Sequence, residues 1–318
     1  MISMSCNIAG VSFKNPIIMA SGTYGFGKEY SRYYALEELG GFCTKGLTLH
    51  PRVGNPGVRL YETPSGLLNS IGLENPGIAS FITNETDSLQ QVDTVKIVNL
   101  GGGTIEEYVE GASQLEEHAR HEREKMSAVS PVPRFRSVDM IELNISCPNV
   151  KQGGMQFGIE TASARTVVRA VRQVTQLPLI VKLSPLAHDI GEMAVMCEEE
   201  GADAISLINT FSGMKIDINN RKPVFHHKYA GMSGPAIRPL ALRLVHLAAQ
   251  AVRIPVIGMG GIVTAEDIIE FTMAGAAAVQ IGTYNFVNPR AGIELRDGLE
   301  AWMKAHQVSD LAEIRGIV

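Results

Sequence analysis

The stretch Pro255-Val256-Ile257-Gly258-Met259-Gly260 is a short apolar run closed by glycine, and Gly261-Ile262-Val263-Thr264 leads from it into Ala265–Met273. Thr264 is a good N-cap residue before a segment of helix formers, and Gly275 stands where a helix C-terminus favours glycine. A second apolar run, Ala277-Ala278-Val279-Gln280-Ile281-Gly282, follows at once. Strand, helix and strand in that order make the two strands parallel, because the crossover helix carries the chain back to the end it started from.

The same alternation extends outward from this unit. Apolar runs occur at 16–21, 41–46, 95–100, 138–145, 179–183, 204–209, 255–260 and 277–282, eight in all. Segments with apolar residues at helical spacing follow at 28–39, 105–118, 162–175, 190–200, 239–251, 265–273 and 292–305, and Gly201 caps one of them as Gly275 caps another. Near-continuous apolar strands covered by helices imply a parallel sheet, and eight units imply closure into a (β/α)8 barrel. The chain of 318 residues is expected to be one domain, 1–318. Segments 4–8 and 11–13 flank Ala9-Gly10 and read as a hairpin closing the barrel bottom. Two long excursions, 50–75 after the second strand and 212–234 after the sixth, carry enough apolar residues to be ordered lids. The charged stretch 120–136 reads as a surface insertion without chemistry.

Composition narrows the function. Apolar residues make up 45% and charged residues 19%, as in a globular chain with a large core. A net charge of −5 argues against binding a phosphate backbone. No stretch approaches the ~20 apolar residues that span a bilayer, and the N-terminus has no basic-then-apolar leader. No nucleic acid, no membrane and a cytoplasmic location are the expectations. The four cysteines, Cys6, Cys43, Cys147 and Cys197, form no Cys-x-x-Cys pair, so neither a disulfide framework nor a metal site is expected.

In a barrel of this kind, chemistry sits at the C-terminal ends of the strands. Those ends supply Ser21, Lys45, Asn99, Asn144, Lys182 and Asn209, each closing an apolar run and each expected at one mouth. The fourth strand runs into Glu142-Leu143-Asn144-Ile145-Ser146-Cys147-Pro148-Asn149. Pro148 ends the strand and puts the thiol on a loop. A lone free cysteine is more often a packed one, but this one keeps company with six polar strand ends. Gly260-Gly261 after the seventh strand and Gly282-Thr283 after the eighth put free backbone N–H groups where such barrels hold a phosphate. Flavin mononucleotide fits better than a dinucleotide, since no strand-linked Gly-x-Gly-x-x-Gly with a downstream acid occurs.

These motifs, with Ala20–Gly27-type glycine turns after the first strand, Leu68-Asn69-Ser70-Ile71-Gly72-Leu73-Glu74-Asn75-Pro76-Gly77, Val181-Lys182-Leu183-Ser184-Pro185, Ile208-Asn209-Thr210 and Ser233-Gly234-Pro235, resemble the class 1 dihydroorotate dehydrogenases. The likeness runs from Asn15 to about Phe286 and is strongest to the NAD-dependent 1B type. It implies oxidation of dihydroorotate to orotate in de novo pyrimidine biosynthesis, with Cys147 as the base and Lys182 beside the flavin. It implies substrate contacts from Lys45, Asn69, Ser70, Ile71, Gly72, Leu73, Asn144, Asn149, Asn209 and Thr210. Flavin contacts are implied for Ser21, Lys45, Gly46, Asn99, Asn144, Lys182, Ile208, Gly234, Gly260, Gly261, Gly282 and Thr283, and no metal is implied. Two departures stand out: Gly101-Gly102-Gly103 replaces the family's Ala-Gly-Ser, and 120–136 lengthens a connection.

Class 2 members carry an N-terminal membrane-associated extension and a serine base, so the cysteine favours class 1. The motifs 209–214 and 231–234 look more like 1B than fumarate-using 1A. The 1B type pairs with a subunit carrying FAD and a 2Fe–2S cluster. A homodimer within a heterotetramer is therefore expected. The rivals are a 1A-like enzyme, a uracil-type dihydropyrimidine dehydrogenase and a flavin-holding scaffold; Asn149 and Lys45 speak against the uracil type, and retention of Cys147 and Lys182 against the scaffold.

Overall fold

A computed structural model describes residues 2–127, 135–146 and 157–318. The chain opens with the hairpin β1 (Cys6–Ile8) and β2 (Val11–Phe13), whose two turn residues Ala9 and Gly10 both have positive φ, 54° and 82°. Barrel strands β3 (Ile17–Met19) and β4 (Gly41–Cys43) come next, then lid strands β5 (Leu60–Thr63) and β6 (Gly66–Asn69) and helices α1 (Ile78–Asn84) and α2 (Thr86–Leu89). There follow β7 (Val95–Leu100), α3 (Ile105–Ser127), β8 (Met140–Asn144), α4 (Thr161–Arg172), β9 (Leu179–Lys182), α5 (Ile190–Glu199) and β10 (Ala204–Leu207). Strands β11 (Phe211–Met214), β12 (Ile216–Asp217), β13 (Lys222–Pro223) and β14 (Tyr229–Ser233) form the second lid. The chain ends with α6 (Arg238–Ala251), β15 (Val256–Met259), α7 (Ala265–Met273), β16 (Ala278–Ile281), α8 (Tyr284–Val287) and α9 (Ala291–His306).

Strands β3, β4, β7, β8, β9, β10, β15 and β16 close an all-parallel eight-stranded barrel in chain order. All eight expected runs are barrel strands. Ile8 and Phe13 of the hairpin pack with Ile18, Cys43, Ile97, Met140, Ile180, Ala204, Ile257 and Ala278 inside the bottom of the barrel. Residues of opposite parity, such as Ile141, Leu143, Val181 and Val279, face the helices in the larger core. The period of two is visible along β8: Met140 joins the apolar floor, Glu142 stands one step above it and Asn144 reaches the mouth.

The expected caps form. Thr264 accepts from the N–H of Asp267 and the Asp267 carboxylate accepts from Thr264 N–H at 2.9 Å, a reciprocal capping box. Thr264→Ala removes one half of it and should cost about 1 kcal/mol, read as a lower Tm. Gly201 and Gly275 follow α5 and α7 with φ of 90° and 114°.

Two expectations are corrected. Segment 28–39 is not an α-helix but a series of turns ending in a 3-10 turn at Leu36–Glu38. Its tyrosines hydrogen-bond outward instead: Tyr30 hydroxyl donates to Thr23 carbonyl at 2.8 Å, Tyr34 meets the Tyr24 hydroxyl at 3.0 Å, and the rings of Tyr24 and Tyr30 stack. The helix that covers β4 comes after the first lid, as α1 and α2. The stretch 120–136 begins as helix, since α3 continues to Ser127. Glu122 explains this: wholly within that extension, it accepts from Ser137 Oγ at 2.6 Å and Gln90 Nε2 at 2.5 Å, tying α3 to the barrel. Residues 128–134 lie outside the described residues.

The two lids are joined. Gly231, Met232 and Ser233 of β14 pair antiparallel with Asn69, Leu68 and Leu67 of β6, giving one four-stranded sheet in the order β11-β14-β6-β5.

Candidate active site

A cavity of about 740 Å³ occupies the C-terminal mouth of the barrel beneath this sheet. Strand ends put Ser21, Lys45, Gly46, Asn99, Asn144, Lys182, Ile208 and Asn209 on its wall. The lids add Asn69, Ser70, Ile71, Gly72, Leu73, Thr210 and Gly234, and the last two strand ends add Gly260, Gly261, Gly282 and Thr283. Cys147 and Asn149 lie outside the described residues. Ser146 before them and Gly158 after them both line the cavity.

Amides gather at one side. Asn209 Nδ2 donates to Asn144 Oδ1 at 3.2 Å, and Asn209 Oδ1 accepts from Thr210 N–H at 2.8 Å. Asn69 Nδ2 donates to the Gly231 carbonyl at 3.1 Å, so the lid pairing also fixes this side chain. Asn55 Nδ2 donates to Ser70 Oγ at 3.0 Å, which anchors the Asn69–Leu73 stretch. Gly72 has a φ of 76° and a Cβ there would collide with Asn55, so the turn requires glycine. Each amide both donates and accepts, which suits a ring that alternates carbonyls with N–H groups.

Lys45 supplies charge. Burial lowers its pKa, Glu74 opposes that and Arg59 adds to it. Glu74 is itself ion-paired to Arg59, and among the described residues no acceptor hydrogen-bonds Lys45 Nζ. A half-buried ammonium without a hydrogen-bonding partner favours an anionic group in the cavity.

Beneath the cavity lies a polar layer that the sequence reading did not single out. Glu142 is wholly buried and accepts from Asn99 Nδ2 at 2.6 Å, Ser206 Oγ at 2.9 Å and Gln280 Nε2 at 2.5 Å. Lys182 Nζ stands 3.5 Å from the same carboxylate. Glu142 and Gln280 interrupt otherwise apolar runs, and that interruption was the available signal.

The opposite corner is backbone. Gly261 has a φ of 78°, and a Cβ on it would sit 2.8 Å from the Arg238 side chain and 2.9 Å from the Gly234 carbonyl. Among the described residues no protein acceptor takes the N–H of Gly261, Gly282 or Thr283. Free backbone donors in a glycine cradle fit a phosphate, and a 740 Å³ cavity lies within the size range of cofactor sites. Gln280 Oε1, buried and without a partner, is an acceptor left for a ring N–H. The donor and acceptor set fits a flavin phosphate at one end and a flat heterocycle at the other. The Gly101-Gly102-Gly103 departure does not line the cavity; Gly102 is packed under the Tyr108 ring.

A second hollow of about 280 Å³ lies elsewhere, lined by Lys14, Lys96, Asp93 and Asp139. Its ions are already engaged: Lys14 pairs with Asp93 at 2.8 Å and Lys96 donates to the Val92 carbonyl at 2.6 Å.

The family model for dihydroorotate dehydrogenase matches residues 3–303. The chain belongs to the dihydroorotate dehydrogenase family. Within this family it is 51% identical over 318 residues, all of both chains, to a protein of Petrotoga mobilis named dihydroorotate dehydrogenase B (NAD(+)), catalytic subunit. Proteins of the same name from Thermoanaerobacter pseudethanolicus and Pelobacter propionicus are 48% identical over 315 and 313 residues, covering 99% and 98% of this chain and 98% and 97% of theirs. The resemblance to class 1B dihydroorotate dehydrogenases therefore extends through the lids and the C-terminal helix. Among the described residues no helix is long and apolar enough to cross a membrane.

Proposed function

We propose that this chain, as one flavin-binding barrel domain spanning 1–318, oxidises dihydroorotate to orotate in de novo pyrimidine biosynthesis. The observation that carries the reading is the Lys45 ammonium, without a hydrogen-bonding partner among the described residues, facing a cavity ringed by Asn69, Asn144 and Asn209. The ammonium suits the substrate carboxylate, and the amides suit the ring. Bound FMN would supply a two-electron acceptor for the hydride leaving ring carbon 6. Cys147 takes the proton from ring carbon 5, so that the pair of losses leaves a carbon–carbon double bond. A free thiol has a pKa of about 8.5, and the task therefore needs a stabilised thiolate or mildly alkaline pH. Lys182 places a cation where the reduced cofactor gathers negative charge. Ser21, Gly46, Asn99, Ile208 and Gly234 contact the cofactor, Gly260, Gly261, Gly282 and Thr283 hold its phosphate, and Asn149 and Ser70–Leu73 complete the substrate side.

Electrons then pass to NAD through a second subunit carrying FAD and a 2Fe–2S cluster, in a heterotetramer built on a homodimer, in the cytoplasm. The relatives' names speak of a catalytic subunit. The remaining cysteines support a separate relay: Cys6, Cys43 and Cys197 are far apart in sequence and form no Cys-x-x-Cys pair, and Cys43 and Cys197 are buried.

Purified alone, the chain should bleach its own flavin absorbance when given dihydroorotate and pass electrons to NAD poorly. Comparable bleaching by dihydrouracil would overturn the substrate assignment. Fast NAD reduction without a partner would overturn the relay, and turnover with fumarate would favour the 1A alternative.

A further inference from the structure

Five barrel strands other than its own bring side chains to Glu142. Asn99 of β7, Lys182 of β9, Ser206 of β10 and Gln280 of β16 meet this one carboxylate. The Cys43 thiol of β4 also lies against it; burial, then the Glu142 charge, pushes that thiol well up and keeps it protonated. Apolar side chains fill the layer below, where Met140, Ile180, Ala204 and Ala278 meet. Folding alone would be served as well by apolar packing here, since a buried ion pair recovers little beyond its desolvation cost.

What the carboxylate does is turn its neighbours. It takes the Nδ2 of Asn99 and the Nε2 of Gln280, which leaves Asn99 Oδ1 and Gln280 Oε1 without protein donors among the described residues. Both residues line the cavity, whereas Glu142 and Ser206 do not. With the amides reversed, two acceptors would face a carboxylate, so the charge on Glu142 fixes which end each amide offers to a ligand. The same charge holds Lys182 Nζ and offsets its cation.

We propose that Glu142 is a positioning residue for the flavin reaction: it presents the acceptor ends of Asn99 and Gln280 to the cofactor ring, and it sets both the place and the net charge of Lys182. This rests on the reading under Proposed function. Removing its charge leaves the Lys182 cation uncompensated, and the anionic reduced cofactor gains relative to the oxidised one. Glu142→Gln keeps the size, and Gln280 can turn to accept from the new amide.

The test uses the full chain carrying its FMN, as wild type, Glu142→Gln and Arg172→Met. The last breaks hydrogen bonds to Asp203 and the Leu177 carbonyl at the far end of the barrel and serves as a stability control. Glu142→Gln should favour the reduced over the oxidised flavin by about tenfold, which is an upward potential shift of about 30 mV for a two-electron couple. Its kcat for flavin reduction by dihydroorotate should fall with KM nearly unchanged. Arg172→Met should lower Tm and leave the potential alone. A Glu142→Gln protein whose potential and kcat match wild type, with only Tm reduced, would overturn the proposal. If Glu142→Gln does not fold, Glu142→Asp carries the test: it keeps the charge but withdraws it by one methylene, so the potential should hold and kcat should fall; an unchanged kcat would overturn the role. A wild-type chain that holds no flavin would instead overturn the function reading itself, and this proposal with it.

Discussion

A Cys147→Ala protein is expected to remain yellow and to lose roughly 10²–10⁴-fold in dihydroorotate oxidation, the range that a positioned general base supplies. The flavin should stay because the groups assigned to it lie on the barrel strand ends or, for Gly234, at the end of the second lid, and none is on the loop after β8. The rate should fall because hydride loss from carbon 6 and proton loss from carbon 5 must be matched, and alanine accepts no proton. Cys147→Ser should retain a small fraction of the rate, since a serine hydroxyl is a far weaker base near neutral pH than a thiol. Single-turnover bleaching of the flavin by dihydroorotate measures both. Unimpaired bleaching in the alanine protein would sink the assignment of the base.

Lys182→Met is expected to hurt in two separable ways. With Lys182 gone, Glu142 keeps its hydrogen bonds from Asn99, Ser206 and Gln280 but loses the only charge opposing it within 4 Å among the described residues. Breaking a buried pair by removing one partner typically costs about 3–5 kcal/mol. The same change removes the cation proposed to lie beside the cofactor and should slow flavin reduction by roughly 10²–10³-fold, as deletion of one preorganised electrostatic group does elsewhere. Adding Glu142→Gln to the Lys182→Met chain should restore much of the stability and none of the rate. Thermal melts of both single variants and the double variant give the coupling. If the double variant melts where additivity puts it, the two side chains are energetically independent.

Legibility followed the physics of burial. A strand buried on both faces must be apolar nearly throughout, so all eight barrel strands stood out, and Thr264 marked a helix start within a residue. The segment 28–39 misled because helical spacing of apolar residues is blind to where a tyrosine hydroxyl finds its acceptor, here the Thr23 carbonyl. Helix α3 ran past its expected end for a similar reason: Glu122, read as surface charge, is a buried anchor for Ser137. In the site, strand-end polar residues were legible because polar atoms after an apolar run need an explanation. Glu142 was not, since one acid inside a run gives no hint that Asn99, Ser206 and Gln280, from three other strands, converge on it. The pairing of the two lids was likewise out of reach, as nothing local in 50–75 names a partner in 212–234.

That pairing constrains how the ceiling can change. Strand side chains alternate faces, so losing or gaining one residue on either side of the Asn69–Gly231 contact would rotate Asn69 away from the ring it is proposed to hold. A change of length is better absorbed at the exposed tip between β12 and β13, where Ile218 is 80% exposed and Asp217 organises the turn by accepting from the N–H groups of Asn219 and Asn220. An inserted residue at the tip leaves the register of the seam behind it unchanged.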